Sequence, residues 1–542
     1  MKSKIGFGAY GAGRPRSFPG RRMPIAFILY LVGLALAVPA WSAATLEDTC
    51  TRLSANNAMV RSATIETTAQ TGSVCVVRGE IISSPSSTIH FRLDLPEPAR
   101  WNSKLLMVGG GGFDGIVPTE HPQFLSFSQL IGTDGAQVAG FARVSSDSGH
   151  QGRGKAPFAD FSWVAGNPVA LRNHAYEANH VVLASALDLS SQFYGRAPTR
   201  RYIAGVSNGG RAGLVAIQHY PYDYDGVLSL EPAISQEGFA ANQGPQMLQH
   251  IFAAPDHWLS AAQIALYEQG ELAACDRLDG LEDGILGNVV ACKYDGANLL
   301  CQSGQPPSDS CLTSGQLESI RRIHADKKVP VTLADGWIGY AGYGRGGESS
   351  DWVFFLFGPS FAAREAADYG LVDNIVKWGI TGEPNASVMT HDPTQWAPQY
   401  RALSNEIDAT DPDLSAFYAH GGKLIVWHGV ADACVSYRQT ARYLDSVKSK
   451  LGDQASRNFV RFYISPATGH MMAGAGSGTE PLLSALEVWV EQGRAPGSLV
   501  STLAPGSAKP GSTRPLCEYP LFPRYKGRGD PTKAVSFVCS ES

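Results

Sequence analysis

The sequence predicts a doubly wound α/β sheet broken by a large insertion. Two observations carry the sheet: short apolar runs end abruptly in Gly- or Asp-rich turns, and segments of helical periodicity separate them. A third carries the insertion: the strand–helix rhythm stops after about Pro232 and resumes near Gly421. That gap is too long for a loop and reads as an inserted domain.

The runs are KLLMV (104–108) before GGGGFDG, RYIAGV (201–206) before Ser207, GVLSLEP (226–232), KLIVWHG (423–429) before VADAC, and FVRFYIS (459–465) before PATGH. Runs of this kind fit parallel strands buried on both faces. NHVVLASALDLSSQFYG (179–195) and GLVAIQHY (213–220) fit crossover helices. Residues 45–232 and 421–542 are thus expected to share one sheet domain, with 233–420 as the insertion. Aromatic clusters in the insertion, DGWIGYAGYG and DWVFFLFG, fit either core packing or a wall over the crevice where strand ends meet.

Residues 1–44 stand apart. Six basic residues and no acid precede the apolar run MPIAFILYLVGLALAVPA, and small residues follow in AWSAA. These are the parts of a secretory signal peptide, with an uncleaved anchor as the alternative reading of the apolar run, so a secreted or periplasmic protein without stable membrane association is expected. Losing six positive charges takes the formal net charge from −5 to about −11. A clearly acidic chain argues against nucleic acid as a partner. Of nine cysteines, eight fall into neighbouring pairs along the chain (Cys50/Cys75, Cys275/Cys292, Cys301/Cys311, Cys517/Cys539) and Cys434 stands alone. In an exported chain this reads as four local disulfides and one free thiol.

Gly205-Val206-Ser207-Asn208-Gly209 has the form of a nucleophile elbow, in which small neighbours allow a strained strand-to-helix turn. A Gly-rich turn with an idle Ser has the same local pattern, so partners decide. A Ser hydroxyl needs a base to be nucleophilic at neutral pH. His470, just after the last strand run, is the candidate base, and Asp432, after the run before it, is the candidate acid. The order Ser207, Asp432, His470 is that of α/β-hydrolases. Glu231 is the alternative acid, and His428 reads as a structural histidine. A hydrolase also needs backbone N–H donors for the oxyanion. Asn208 and the loop Gly109–Gly112 are placed to supply them, with Gly111 and Gly112 as the candidate glycines. In CDRLDGLEDGIL, Asp276, Asp279 and Asp283 are spaced by Gly280 and Gly284. Hard oxygen donors at this density suit calcium or form a solvated acidic turn. Nothing in the sequence points to an organic cofactor.

Together with FYGRAPTRRYIAGVSNGGRAGL, YPYDYDGVLSLEPA, SSDSGH, CLTSGQ and WHGVAD, these motifs resemble the tannase and feruloyl esterase family of secreted α/β-hydrolases. The resemblance implies an α/β-hydrolase doubly wound sheet with an inserted lid domain, and Ser207, Asp432 and His470 as a catalytic triad. It implies a serine esterase acting on small esters of aromatic acids; hydrolysis of other carboxylic esters, or a binding protein on the same fold, are the alternatives. It also implies structural calcium in the lid, held by Asp276, Asp279 and Asp283 and the carbonyls of Leu281 and Ile285. One departure stands out. The family's usual Cys pair, before the nucleophile and after the catalytic His, is replaced by Val206 and Met471. These two are expected to pack as an apolar pair in its place.

Overall fold

A computed structural model describes residues 45–68, 72–121, 140–303 and 308–542. The export-signal expectation for residues 1–44 lies outside them. The central sheet has nine strands. They are β1 (Met59–Thr68), β2 (Gly72–Ser84), β3 (Ser87–Pro96), β4 (Lys104–Val108), β5 (Ala142–Ser146), β6 (Arg200–Val206), β7 (Gly226–Leu230), β8 (Lys423–Gly429) and β9 (Val460–Ser465). Their order across the sheet is β1-β2-β3-β5-β4-β6-β7-β8-β9. From β5 to β9 every neighbouring pair is parallel, while β1, β2, β3 and β5 pair antiparallel.

All five predicted runs are strands of this sheet. The antiparallel β1–β3 were not predicted. β5 was not predicted either; β3 alternates apolar and polar residues, and β2 holds only a four-residue apolar run at 74–77 inside a longer mixed strand.

The parallel strands are apolar throughout because both faces are covered. Helices α1 (Ala178–Tyr194), α2 (Asn208–His219) and α3 (Tyr437–Leu451) pack on the face formed by Met107, Ile203, Val227 and Val426. Helix α4 (Leu482–Gln492) covers the other face, over Val206, Leu230 and Trp427. Each such side chain taken fully out of water contributes about 1.5–3 kcal/mol. Gly195 ends α1 at φ 69°, the left-handed conformation that a C-terminal glycine supplies cheaply.

Two features position the site. After β4 the chain crosses to β5 on one side and later to β6 on the other, so a crevice opens at the carboxyl ends of β4 and β6. The register then aligns Val206, Leu230, Trp427 and Tyr463 across four strands. Ser207, Glu231 and His428 therefore leave the sheet at one level. β7 and β8 are adjacent although about 190 residues separate them, and the chain between them adds no strand to this sheet among the described residues. Much of that chain packs around its own cluster, including Met247, Leu248, Ile320, Trp352 and Val376.

The four neighbouring cysteine pairs are disulfides: Cys50–Cys75, Cys275–Cys292, Cys301–Cys311 and Cys517–Cys539. Cys434 is a buried free thiol. Thiol titration of the unreduced protein should accordingly find one reactive group per chain after denaturation and none reacting promptly in the folded state.

Candidate active site

Ser207 ends β6 at φ 59° and ψ −121°, and α2 begins at the next residue. A non-glycine residue held there costs on the order of 1–3 kcal/mol. Backbone bonds offset this: Ser207 N–H donates to Leu230 O (2.9 Å), and Ser207 O accepts from Arg211 N (3.0 Å) and Ala233 N (3.1 Å). The flanking glycines are steric necessities. A Cβ on Gly205 would lie 2.6 Å from the Gly209 carbonyl carbon, and one on Gly209 would lie 2.6 Å from Gly110 O. The strand, the helix and the glycine loop are in backbone contact here, with Gly209 N–H donating to Gly110 O at 3.0 Å.

Asn208 opens α2, so its backbone N–H has no partner within the helix. Its side chain is turned away into a buried polar network. Asn208 Nδ2 donates to Asp114, which also accepts from the Ser148 hydroxyl, while Asn208 Oδ1 accepts from Arg211 Nε (2.6 Å) and Gln236 Nε2 (3.1 Å). Arg211 is fully buried and donates further to the carbonyls of His174, Ala175 and Ile407. The sequence reading missed this network. The family-like strings SSDSGH and SNGGR contain Ser148 and Arg211, but nothing local shows that they meet.

Asp432 and His470 come together. His470 Nδ1 lies 2.7 Å from Asp432 Oδ2, and both residues are buried. Asp432 Oδ2 also faces His428 Nε2 at 3.1 Å, while Oδ1 accepts backbone N–H groups from Cys434 (2.8 Å) and Val435 (2.7 Å). Burial would raise the Asp432 carboxyl, but the two histidines outweigh it and hold it at about 2. Burial would lower His470, and Asp432 reverses this, holding the imidazole above its ordinary value. His428 receives a hydrogen bond from or gives one to Thr440 (3.1 Å) and is fully enclosed, so it anchors Asp432 and does not reach the crevice.

Two further buried carboxyls stand behind His470. Glu231 Oε2 lies 3.6 Å from His470 Nδ1. Asp351, from the insertion, accepts the backbone N–H of His470 and that of Ala433 (3.2 Å), tying the two catalytic-side loops together. Burial, then Asp432, pushes the Asp351 carboxyl up to about 6.

Ser207, His470, Gly111 and Gly112 open onto one cavity of about 760 Å³. No hydrogen bond joins the Ser207 hydroxyl to His470 among the described residues; such bonds are often long in ligand-free hydrolases. Phe158, Phe354, Phe355 and Leu371 supply apolar wall, and Lys155 and Arg364 stand at the edge. Phe355 packs edge-on to the His470 ring at 5.3 Å. Val206 and Met471 both line this cavity, Val206 buried and Met471 largely exposed. Met472, not Met471, packs against the cluster that holds Val206. The loop reverses between Gly469 and Ala473 with Met472 at φ 53°, which leaves Met471 45% exposed on the cavity wall.

Asp276, Asp279 and Asp283 share one loop behind Cys275. Asp279 accepts from Leu281 N (3.0 Å) and Gly287 N (3.1 Å), and Asp276 Oδ2 accepts from Gly284 N (2.9 Å). Asp276 Oδ1 is buried without a partner, and no hydrogen bond reaches the carbonyls of Leu281 or Ile285 among the described residues. This hard-oxygen set fits a divalent cation. The set is not closed: Asp283 pairs with Arg514, and the three carboxyls do not gather within 4.8 Å of one another.

Residues 75–540 match the family described as tannase and feruloyl esterase. An uncharacterized esterase of Agrobacterium fabrum is 32% identical, covering 87% of this chain and 86% of its own length. The mono(2-hydroxyethyl) terephthalate hydrolase of Piscinibacter sakaiensis is 29% identical over 83% of this chain and 81% of its own. In structure, the chain is similar to feruloyl esterase B from Aspergillus oryzae, with a TM-score of 0.77 at 24% identity, over 92% of this chain and all of that one.

The backbone crowding gives a direct test. Gly209→Ala should lower kcat/KM by more than about 100-fold, because relief of the clash moves the turn by a fraction of an ångström or more. Steady-state kinetics on protein shown to be folded by circular dichroism would check this.

Proposed function

The chain belongs to the tannase and feruloyl esterase family and is a carboxylic ester hydrolase, and on that premise we propose that it cleaves esters of aromatic acids through Ser207, His470 and Asp432. The observation that carries the reading is the short His470–Asp432 contact beside a cavity that also holds the strained Ser207. In this reading Ser207 Oγ attacks the ester carbonyl while His470 Nε2 takes its proton. Asp432 holds the imidazole by Nδ1 and stabilises the imidazolium. The oxyanion lies against the N–H of Asn208 and that of Gly111 or Gly112. His470 then passes the proton to the departing alcohol. Water, deprotonated by His470, releases the acid from the acyl-enzyme.

The phenylalanines of the cavity favour an aromatic acyl group, since offset or edge-on aromatic contacts add about 0.5–1.5 kcal/mol beyond area burial. Four disulfides and the N-terminal signal-like segment support action outside the cytoplasm. For the acidic loop we propose structural calcium held by Asp276, Asp279, Asp283 and the carbonyls of Leu281 and Ile285. It would neutralise clustered acids and brace the loop, with Asp283 turning from Arg514 to join it.

A panel of aryl and aliphatic esters tests the activity. Aryl esters should be preferred, and Ser207→Ala should lower kcat by about 10⁴–10⁶. Turnover surviving the substitution would sink the mechanism, and preference for short aliphatic esters would sink the substrate class. For calcium, stripping with a chelator should lower the thermal midpoint, and added calcium should restore it. At 100-fold excess over Kd the stabilisation is about 2.7 kcal/mol. Purified protein without calcium, and no response to it, would remove the site.

A further inference from the structure

We infer that Glu231 is a second acid for His470, a positioning carboxyl that shares the Nδ1 side of the imidazole with Asp432 and takes over when the charge of Asp432 is removed. This rests on the reading of Ser207, His470 and Asp432 as the catalytic set.

The position is built rather than incidental. Glu231 is the first residue beyond β7, level with Ser207 beyond β6 and His428 near the end of β8. It is fully buried and held at φ 44°. That conformation costs on the order of 1–3 kcal/mol for a non-glycine residue and persists only where the surroundings impose it. Its backbone N–H donates to Trp427 O (2.8 Å), and its Oε1 accepts the N–H of Gly429 (3.1 Å). A Cβ on Gly429 would lie 2.4 Å from Thr468 O and 2.8 Å from Oε1, so glycine there leaves room for both the carboxyl and the loop after β9. The other oxygen, Oε2, has no hydrogen-bond partner among the described residues and lies 3.6 Å from His470 Nδ1. One donor atom each from Glu231, Asp432 and His470 fits within 4.8 Å.

The electrostatics assign the two carboxyls different states. Glu231 faces Asp432 from the β8 loop, Asp351 from the insertion, Glu480 and His470; His428 lies beyond Asp432. Burial, reinforced by the charges of Asp432 and Asp351, raises Glu231 well above the ordinary carboxyl range. Asp432 carries four donors and keeps the negative charge. In this inference the direction of that shift leaves the proton of the pair on Glu231, and one charge faces the imidazole. Two ionised carboxyls at this spacing would repel each other. Replacing Asp432 by Asn removes that repulsion. Glu231 then releases its proton to solvent, and its carboxylate pairs with the imidazolium after closing less than about 1 Å to hydrogen-bond distance.

The test compares Asp432→Asn, the double variant Asp432→Asn/Glu231→Gln and Ser207→Ala on one aryl ester across pH. Neutralising a triad acid that has no substitute costs about 10⁴ in kcat. Here Asp432→Asn alone should cost nearer 10², and the double variant should fall to the 10⁴ level. The pH profile separates this from a structural role. The rising limb set by His470 should lie about one pH unit or more higher in Asp432→Asn than in the double variant, because only the former keeps a carboxylate beside the ring. If the double variant does not fold, Asp432→Asn/Glu231→Ala takes its place; with no carboxylate left beside the ring it should show the same loss of activity and the same low limb. A single Asp432→Asn variant already at the level of the double, with the same limb, overturns the inference. Full activity in Ser207→Ala overturns the underlying triad reading instead, so the two failures are distinct.

Discussion

The buried charge of Asp432 is the constraint around which the site is organised. A carboxylate taken fully out of water is costly unless hydrogen bonds and opposite charge compensate it. Here two imidazoles and two backbone N–H groups do so. Each donor fixes something else. The Cys434 and Val435 N–H groups set the turn after β8, His428 locks that turn to α3 through Thr440, and His470 brings in the loop after β9. Loss of the charge would loosen three connections at once.

The inserted segment is coupled to this centre. Asp351 receives N–H groups from the Asp432 loop and the His470 loop, and Phe355, one turn on, packs against the His470 ring. The same short segment thus fixes catalytic-side backbone and supplies cavity wall. No cysteine stands at Val206 or Met471, and N–H groups donated to Asp351, with the packing of Val206 and Met472, hold these loops. The covalent alternative is unnecessary for closeness, because the sheet register already brings β6, β7, β8 and β9 to a common level.

On the other side of Ser207 the constraint is steric. Gly109, Gly205 and Gly209 let three pieces of backbone approach to distances no side chain would allow. Behind them, Arg211 compensates Asp114 and fixes Asn208, so the start of α2 is held by buried polar contacts as well as by packing. The two sides meet at the mouth of the cavity, where Ser207 and His470 are exposed to a common space.

The sequence by itself determined every strand of the parallel half of the sheet except β5, the break in the strand rhythm, the cysteine pairing and the polar residues at the strand ends. Each is written locally: apolar runs buried on both faces, a break in rhythm, neighbouring cysteines, and polar residues at strand ends. Only tertiary structure decided the rest. The antiparallel strand β3 alternates apolar and polar residues, and β2 holds only a short apolar run inside a longer mixed strand. Glu231 and Asp351 reach His470 through strand register and insertion packing, respectively, and neither is local in sequence. Met471 turned outward because a tight reversal after His470 placed Met472 against the core instead. The acidic loop shows the same division: its donor residues are legible in the string, but Arg514, 231 residues away, pairs with Asp283. Local patterns specify what a residue can do, while contacts between distant segments decide which partner it meets.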